Sequence, residues 1–202
     1  MNVTNLNLSG LPVVHIRDCF DLTEEEFKFF TDTAVYRVSE MGNSVSIDPF
    51  ILNNPEASRV NIIMKGLLDD YVKKVLEIKN NFEFTNSWLT KCTTNEDHEA
   101  HYHSNSMISM VYYIQADSGA FKLYTKPTWC MGNFELDIIA HNMYNSTNWT
   151  FDVKSKDLII FPSHLVHEAL PNGSMNDRYI LGANAFVKDS FGIDASFNGL
   201  RI

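Results

Sequence analysis

The spacing of apolar residues changes period at Asn80-Asn81, and this change constrains the fold of the chain more than any other feature. Before it, Val60, Ile63, Met64, Leu67, Leu68, Tyr71, Val72 and Val75 recur at intervals of three and four. That spacing predicts an amphipathic helix from 55 to about 79, with one face covering a sheet. After it come short β-like runs at 82–91, 107–115, 120–124, 149–153, 157–161, 166–170 and 179–187, separated by turn residues. Such a series is the pattern of an all-β barrel or sandwich, here with a helical layer in front of it.

The first third supports that layer. Residues 11–16 read as a strand. Thr23-Glu24-Glu25-Glu26 reads as a helix start, with Thr23 as N-cap, Glu26 closing a capping box and acids at the positive end of the dipole. A short helix to about Thr33 is expected. The 202 residues suit one domain. Within it, 1–81 would form N-terminal strands and supporting helices, 82–189 the β core and 190–202 a tail. The segment 126–148 is long for a loop and rich in aromatic, Met and Asn residues, as expected of a lid or binding loop.

Several classes of function are disfavoured. With a formal charge of -9 and a pI near 5.1, the chain lacks the clustered cations that neutralise a phosphate backbone, so no nucleic acid partner is expected. No stretch approaches the length of a membrane span, and the first residues lack the basic flank and apolar run of a signal peptide; a cytoplasmic protein is expected. Cys19, Cys92 and Cys130 fall outside any CxxC spacing, which speaks against a disulfide framework or a thiolate zinc site.

The chemistry resides in histidine. His101-Tyr102-His103 precedes a strongly β-like run, and alternate side chains of a strand share a face, so two imidazoles there reach one ion. His167 follows at the start of another expected strand, after the apolar run 158–162. Two ligands from one strand and one from another make a facial set with open positions, although zinc and cupin-type sites share this pattern. His98 and His164 each stand three residues before a motif histidine, a spacing that in a strand turns them to the opposite face. His15 and His141 read as ordinary core or surface residues, and Trp88 and Phe161 as core.

Taken together, the run HEAHYHSNSMISMVYYI at 98–114, the run LIIFPSHLVHE at 158–168, and Pro171-Asn172 resemble a family of small 2-oxoglutarate/Fe(II) oxygenases. The family wording is "HxHPxSxxSGVYYV", then "LxxFPSWLxHxVxPN", then an arginine opening the last core strand. The resemblance covers 88–187, about half the chain. It implies a double-stranded β-helix, or jelly roll, with Fe(II) held by His101, His103 and His167 and with 2-oxoglutarate as cosubstrate. Arg178 matches the arginine that pairs with the distal carboxylate, for which a planar bidentate fork is suited; the alternative is a surface arginine paired with Asp177. His103 stands where the wider superfamily carries Asp or Glu, Met110 replaces a Gly, and Ile180 stands in place of a Ser hydroxyl. Tyr112, Tyr113 or Ser109 would supply that hydroxyl instead.

The implied activity is hydroxylation of a small-molecule or peptidyl substrate by molecular oxygen, with release of succinate and carbon dioxide. Two other readings stand beside it: a cupin-like three-His dioxygenase that uses no oxoglutarate, and a non-catalytic barrel that binds a partner. The substrate pocket is expected from 126–148, 42–54 and the C-terminal tail. The oligomeric state is open, a homodimer included.

Overall fold

The computed structural model describes residues 10–39, 43–117, 119–125, 137–142, 145–188, 191–192, 196 and 199–200, together with the backbone of 2–8. Most of the 126–148 segment and much of the C-terminal tail lie outside the described residues.

The β core is built from eight strands: β5 (Asn81–Cys92), β6 (His98–His101), β7 (Ile108–Gln115), β8 (Ala120–Tyr124), β9 (Asn148–Asp152), β10 (Leu158–Pro162), β11 (His167–Ala169) and β12 (Arg178–Lys188). Four earlier strands precede them: β1 (Asn2–Leu8), β2 (Leu11–Arg17), β3 (Tyr36–Val38) and β4 (Ser44–Ser46). All pair antiparallel, in a large sheet ordered β1-β2-β10-β7-β12-β5-β4-β3 and a small sheet ordered β6-β11-β8-β9. Along the chain β5, β7, β10 and β12 enter the large sheet, and β6, β8, β9 and β11 the small one. The chain therefore winds between two facing sheets as a double-stranded β-helix.

The large sheet is covered on both faces, which explains the unbroken apolar run of β10. Leu158 and Ile160 join one core with helical residues such as Met64 and Leu68, while Ile159 and Phe161 join a second core between the sheets. The same alternation divides Tyr112 from Tyr113 and Leu181 from Ile180. Each fully buried large apolar side chain contributes about 1.5–3 kcal/mol.

Helix α1 (Glu24–Lys28) begins with the expected box: Thr23 N–H donates to Glu26 Oε2 at 2.8 Å and Glu26 N–H to Thr23 Oγ1 at 3.2 Å. A wider turn, with Ala34 N–H bonded to Phe29 O, carries it to Thr33. Arg59 clasps Glu26 at 2.6 and 2.8 Å, joining α1 to α2 (Ser58–Asp70). The long helix stops at Val75 rather than near 79. Glu77 adopts a left-handed φ of 54°, and Lys73 Nζ donates to the carbonyls of Ile78, Lys79 and Asn80, closing the end. Among the described residues no helix is long and apolar enough to cross a membrane.

Candidate metal centre

In the small sheet, His167 of β11 lies directly across from His101 of β6. Directly opposed residues bring their side chains to one point, and here the ring centroids are 4.4 Å apart. The chain then leaves β6, and His103 is fixed beyond the strand end by its own N–H, which donates to Ser163 O at 3.0 Å. Its Nε2 comes within 3.1 Å of His167 Nε2. The ligand atoms of His101, His103 and His167 all lie within 4.8 Å of one another, so the three rings could hold one ion. The expectation that His101 and His103 share a strand is corrected: His101 ends β6, and His103 lies in the irregular backbone beyond it.

His98 also departs from expectation. It pairs across from Ala169 while His101 pairs across from His167, so β6 carries one more residue than β11 over this interval. This bulge turns His98 onto the face of His101, and the rings stack with centroids at 4.3 Å and an interplanar angle of 16°. His164 is exposed and His141 lies on the surface. His15 is buried, with Nε2 3.1 Å from Asp157 Oδ2.

Burial pushes the imidazoles toward their neutral form, and mutual repulsion adds to it: His103 falls to about 3, His98 to about 4, and His101 and His167 are also lowered. Neutral rings offer lone pairs at neutral pH. They leave a dication uncompensated, so anionic ligands are needed to complete the set.

Arg178 is the residue expected from the sequence to meet such an anion. It opens β12 opposite Cys92, is 1% exposed, and donates from Nη1 to Leu170 O at 2.7 Å. Among the described residues its Nε and Nη2 have no hydrogen-bond partner, and both are buried. A buried, half-satisfied guanidinium is costly unless something else completes it. The surface pairing with Asp177 does not occur, since Asp177 is taken by Lys91 at 2.8 Å. Along β12 the residues at alternate positions from Arg178 are Ile180, Gly182 and Asn184; Ile180 and Gly182 line the inner cavity beside the histidines.

The three candidate hydroxyls separate. Tyr112 faces the other core, stacked on Phe20 at 4.3 Å with its hydroxyl donating to Phe20 O, and does not line the cavity. Ser109 is buried and bonded to Ser163 and Asn184. Tyr113 lines the cavity, and among the described residues its hydroxyl has no hydrogen-bond partner.

Trp88, expected as core, instead forms a wall shared by the inner cavity and an outer groove of about 480 Å³. The indole fits because Gly182 is its cross-strand partner; a Cβ there would meet it at 2.7 Å. Phe161 does belong to the core, edge-on to His167 at 4.7 Å. The groove is further lined by Arg37, Asn43, Asn86 and Asn184. Of these, only the Trp88–Gly182 fit has a sequence signal, a glycine within an apolar strand.

The fold is similar to that of several solved structures. An oxidoreductase of the 2OG-Fe(II) oxygenase family from Burkholderia pseudomallei aligns with a TM-score of 0.61 at 11% identity, covering 86% of this chain and 83% of that one. A prolyl-4-hydroxylase from Pseudomonas putida aligns at 0.56 and 14% identity, over 90% and 95%. HygX from Streptomyces hygroscopicus, with nickel, 2-oxoglutarate and hygromycin B bound, aligns at 0.55 and 14% identity, over 86% and 82%. At such identities the likeness establishes the double-stranded β-helix and nothing finer. No curated protein matches the chain. Residues 86–184 match the family model described as "Putative 2OG-Fe(II) oxygenase", a stretch that runs from the β5 wall of the site through β12 and holds all three histidines and Arg178. By that match residues 86–184 form a domain of the 2OG-Fe(II) oxygenase family.

Proposed function

We propose that this protein couples oxidative decarboxylation of 2-oxoglutarate to hydroxylation of a carbon on a second substrate. The balance is substrate–H plus oxygen plus 2-oxoglutarate, giving substrate–OH, succinate and carbon dioxide. The observation that carries the reading is the pairing of a three-imidazole cluster with a buried guanidinium whose Nε and Nη2 lack partners.

In this reading His101, His103 and His167 hold Fe(II), leaving coordination positions open on the cavity side. The iron with its cosubstrate supplies the activation of oxygen. Arg178 binds the distal carboxylate, and Tyr113 offers the hydroxyl that Ile180 cannot. Trp88, Phe121 and Ile180 keep water from the reacting centre. The inner cavity has about 30 Å³ of free space, room for about one or two waters, so a bound dicarboxylate requires the lining side chains to move apart.

The groove bears on the substrate. Despite a formal charge of -9, its lining among the described residues holds Arg37 and no carboxylate. A substrate whose groove-facing part is neutral or anionic is therefore favoured, and Arg37→Glu should shift preference toward cationic compounds. The deciding experiment is metal analysis with a succinate assay, using Fe(II), 2-oxoglutarate and a panel of substrates graded by charge. Succinate formation that depends on both iron and oxoglutarate is expected. Metal binding with no oxoglutarate binding would favour the cupin-like reading, and binding of neither would favour a non-catalytic barrel.

A further inference from the structure

The inner face of the large sheet does not end at the metal centre. Directly opposed residues of neighbouring strands share a face, and the register gives one unbroken row across five strands: Tyr113 of β7, Ile180 of β12, Thr90 of β5, Val45 of β4 and Arg37 of β3. The first three line the inner cavity, and the last two line the groove. The β3–β4 hairpin therefore carries the floor of the cavity outward into the groove. Position along this row sets a distance. The His103 ring stands 5.1 Å from the Trp88 ring of β5, and the cavity beside the imidazoles is lined by Ile180 and Gly182 of β12, so the ion site lies over β5 and β12. Arg37 is on β3, two strands beyond β5. At about 4.8 Å per strand, an anion at Arg37 lies roughly 10–14 Å from a carbon at the ion.

The chemistry changes along that distance. Val45, Ile47 and Pro49 line the groove as apolar residues, with Trp88 on the side of the imidazoles. Arg37 is exposed. Arg17 faces Asp157 and Arg59 faces Glu26, whereas Arg37 has no ion pair among the described residues. Asp48, next to Ile47, is turned away to the N–H of Phe50 at 2.8 Å and the Asn54 amide at 2.7 Å. An unopposed planar guanidinium at the end of an apolar floor suits a carboxylate or phosphate, which it can hold by two parallel hydrogen bonds.

We infer that the groove selects its substrate by length as well as charge: it takes an elongated molecule with an apolar middle and a carboxylate or phosphate at one end. Arg37 holds the anion, Val45 lies under the middle, and the opposite end presents the reacting carbon over β5 and β12. A compact substrate cannot reach both ends, and a cationic one meets Arg37. The inference rests on the oxygenase reading and narrows its substrate class.

Straight-chain fatty acids and alkyl phosphates of graded length, bound to the Mn(II) form with an unreactive 2-oxoglutarate analogue in place, test this. Mn(II) relaxes the NMR signals of nearby nuclei with a steep dependence on distance, so each bound probe reports which of its ends lies at the ion. The expected affinity rises with chain length until the chain spans the interval. The methyl end should then be strongly relaxed, with the acid carbon or phosphorus roughly 10–14 Å from the ion. The arm that binds more tightly identifies the anion. Arg37→Gln, which breaks no ion pair among the described residues, should weaken both probe classes roughly 3–30-fold with Mn(II) affinity and melting temperature as in wild type. Val45→Asp sets a carboxylate under the chain and should weaken both further. Binding indifferent to length, an anionic end nearest the ion, or Arg37→Gln binding as wild type overturns the inference and leaves the oxygenase reading intact. If Mn(II) or the analogue does not bind, that reading fails and the inference falls with it.

Discussion

Replacing Arg178 with Met should change stability little while weakening cosubstrate binding strongly. The guanidinium is 1% exposed, and its one bond is from Nη1 to Leu170 O. Among the described residues Nε and Nη2 have no hydrogen-bond partner beyond the weakly accepting Cys92 sulfur across the strand pair. Exchanging a poorly compensated buried ion for an apolar side chain of similar length is often neutral or stabilising, by about 1–4 kcal/mol. Losing the donor to Leu170 O takes back about 1–3 kcal/mol. The net change then lies between about -2 and +3 kcal/mol, centred near zero, so the melting temperature should stay within roughly 10 °C of wild type for a chain of this size. Binding of 2-oxoglutarate should weaken by about 2–5 kcal/mol, roughly 30-fold to several thousand-fold, because a buried carboxylate loses its fork. Scanning calorimetry of the metal-free variant and anaerobic calorimetric titration of the Fe(II) form with 2-oxoglutarate give the two numbers. A variant destabilised by about 3 kcal/mol or more that binds oxoglutarate as well as wild type would make Arg178 a structural residue and refute the reasoning.

Metal should stabilise the fold by linkage: Fe(II) or Mn(II) at a hundredfold excess over its dissociation constant adds about 2.7 kcal/mol, roughly 5–10 °C, and His101→Ala or His167→Ala should abolish that shift in thermal denaturation. Burial lowers the folded-state values of His103 to about 3 and His98 to about 4, below the ordinary 6.5 of the unfolded chain. The unfolded state therefore binds more protons as pH falls, so the histidine contribution is fully present above about pH 6.5 and is lost between there and about pH 3. Urea denaturation of the metal-free protein should show this decline, and His98→Gln should flatten it. Gly182→Ala forces a Cβ to within 2.7 Å of the Trp88 indole, so it should destabilise the chain by about 1–3 kcal/mol and lower iron-dependent succinate formation by displacing the cavity wall.

Much of the architecture was legible because it is repeated. The apolar stripe from Val60 to Val75 and the short runs from Phe82 onward correspond to α2 with its following turn and to the strands of the β core, and Thr23 with Glu26 forms the expected capping box. The strands that escaped notice are those whose composition argues against them. β1 is rich in Asn, which strands disfavour, and β3 and β4 span three residues each, too short to show a period. At the site, residue types were readable and directions were not. His101-Tyr102-His103 brings its two rings together because the chain leaves the strand after His101, and His98 joins them through a bulge with no glycine or proline to announce it. The neighbouring Asp177 suggested a surface partner for Arg178, while the strand register sends that carboxylate to Lys91. Asn184 offered no local signal, since its contacts, His103 and Ser109, are distant in sequence.

Among the described residues β6 is the outermost strand of the small sheet, with β11 as its one neighbour, and it carries His101 at its end. An ion bound by His101, His103 and His167 would therefore rivet an edge that hydrogen bonds hold along one side only. Slow amide exchange along 98–103 in the loaded protein, and fraying or proteolytic nicking there once a chelator strips the ion, are the signs to look for. Loss of iron would then loosen a strand as well as silence the chemistry.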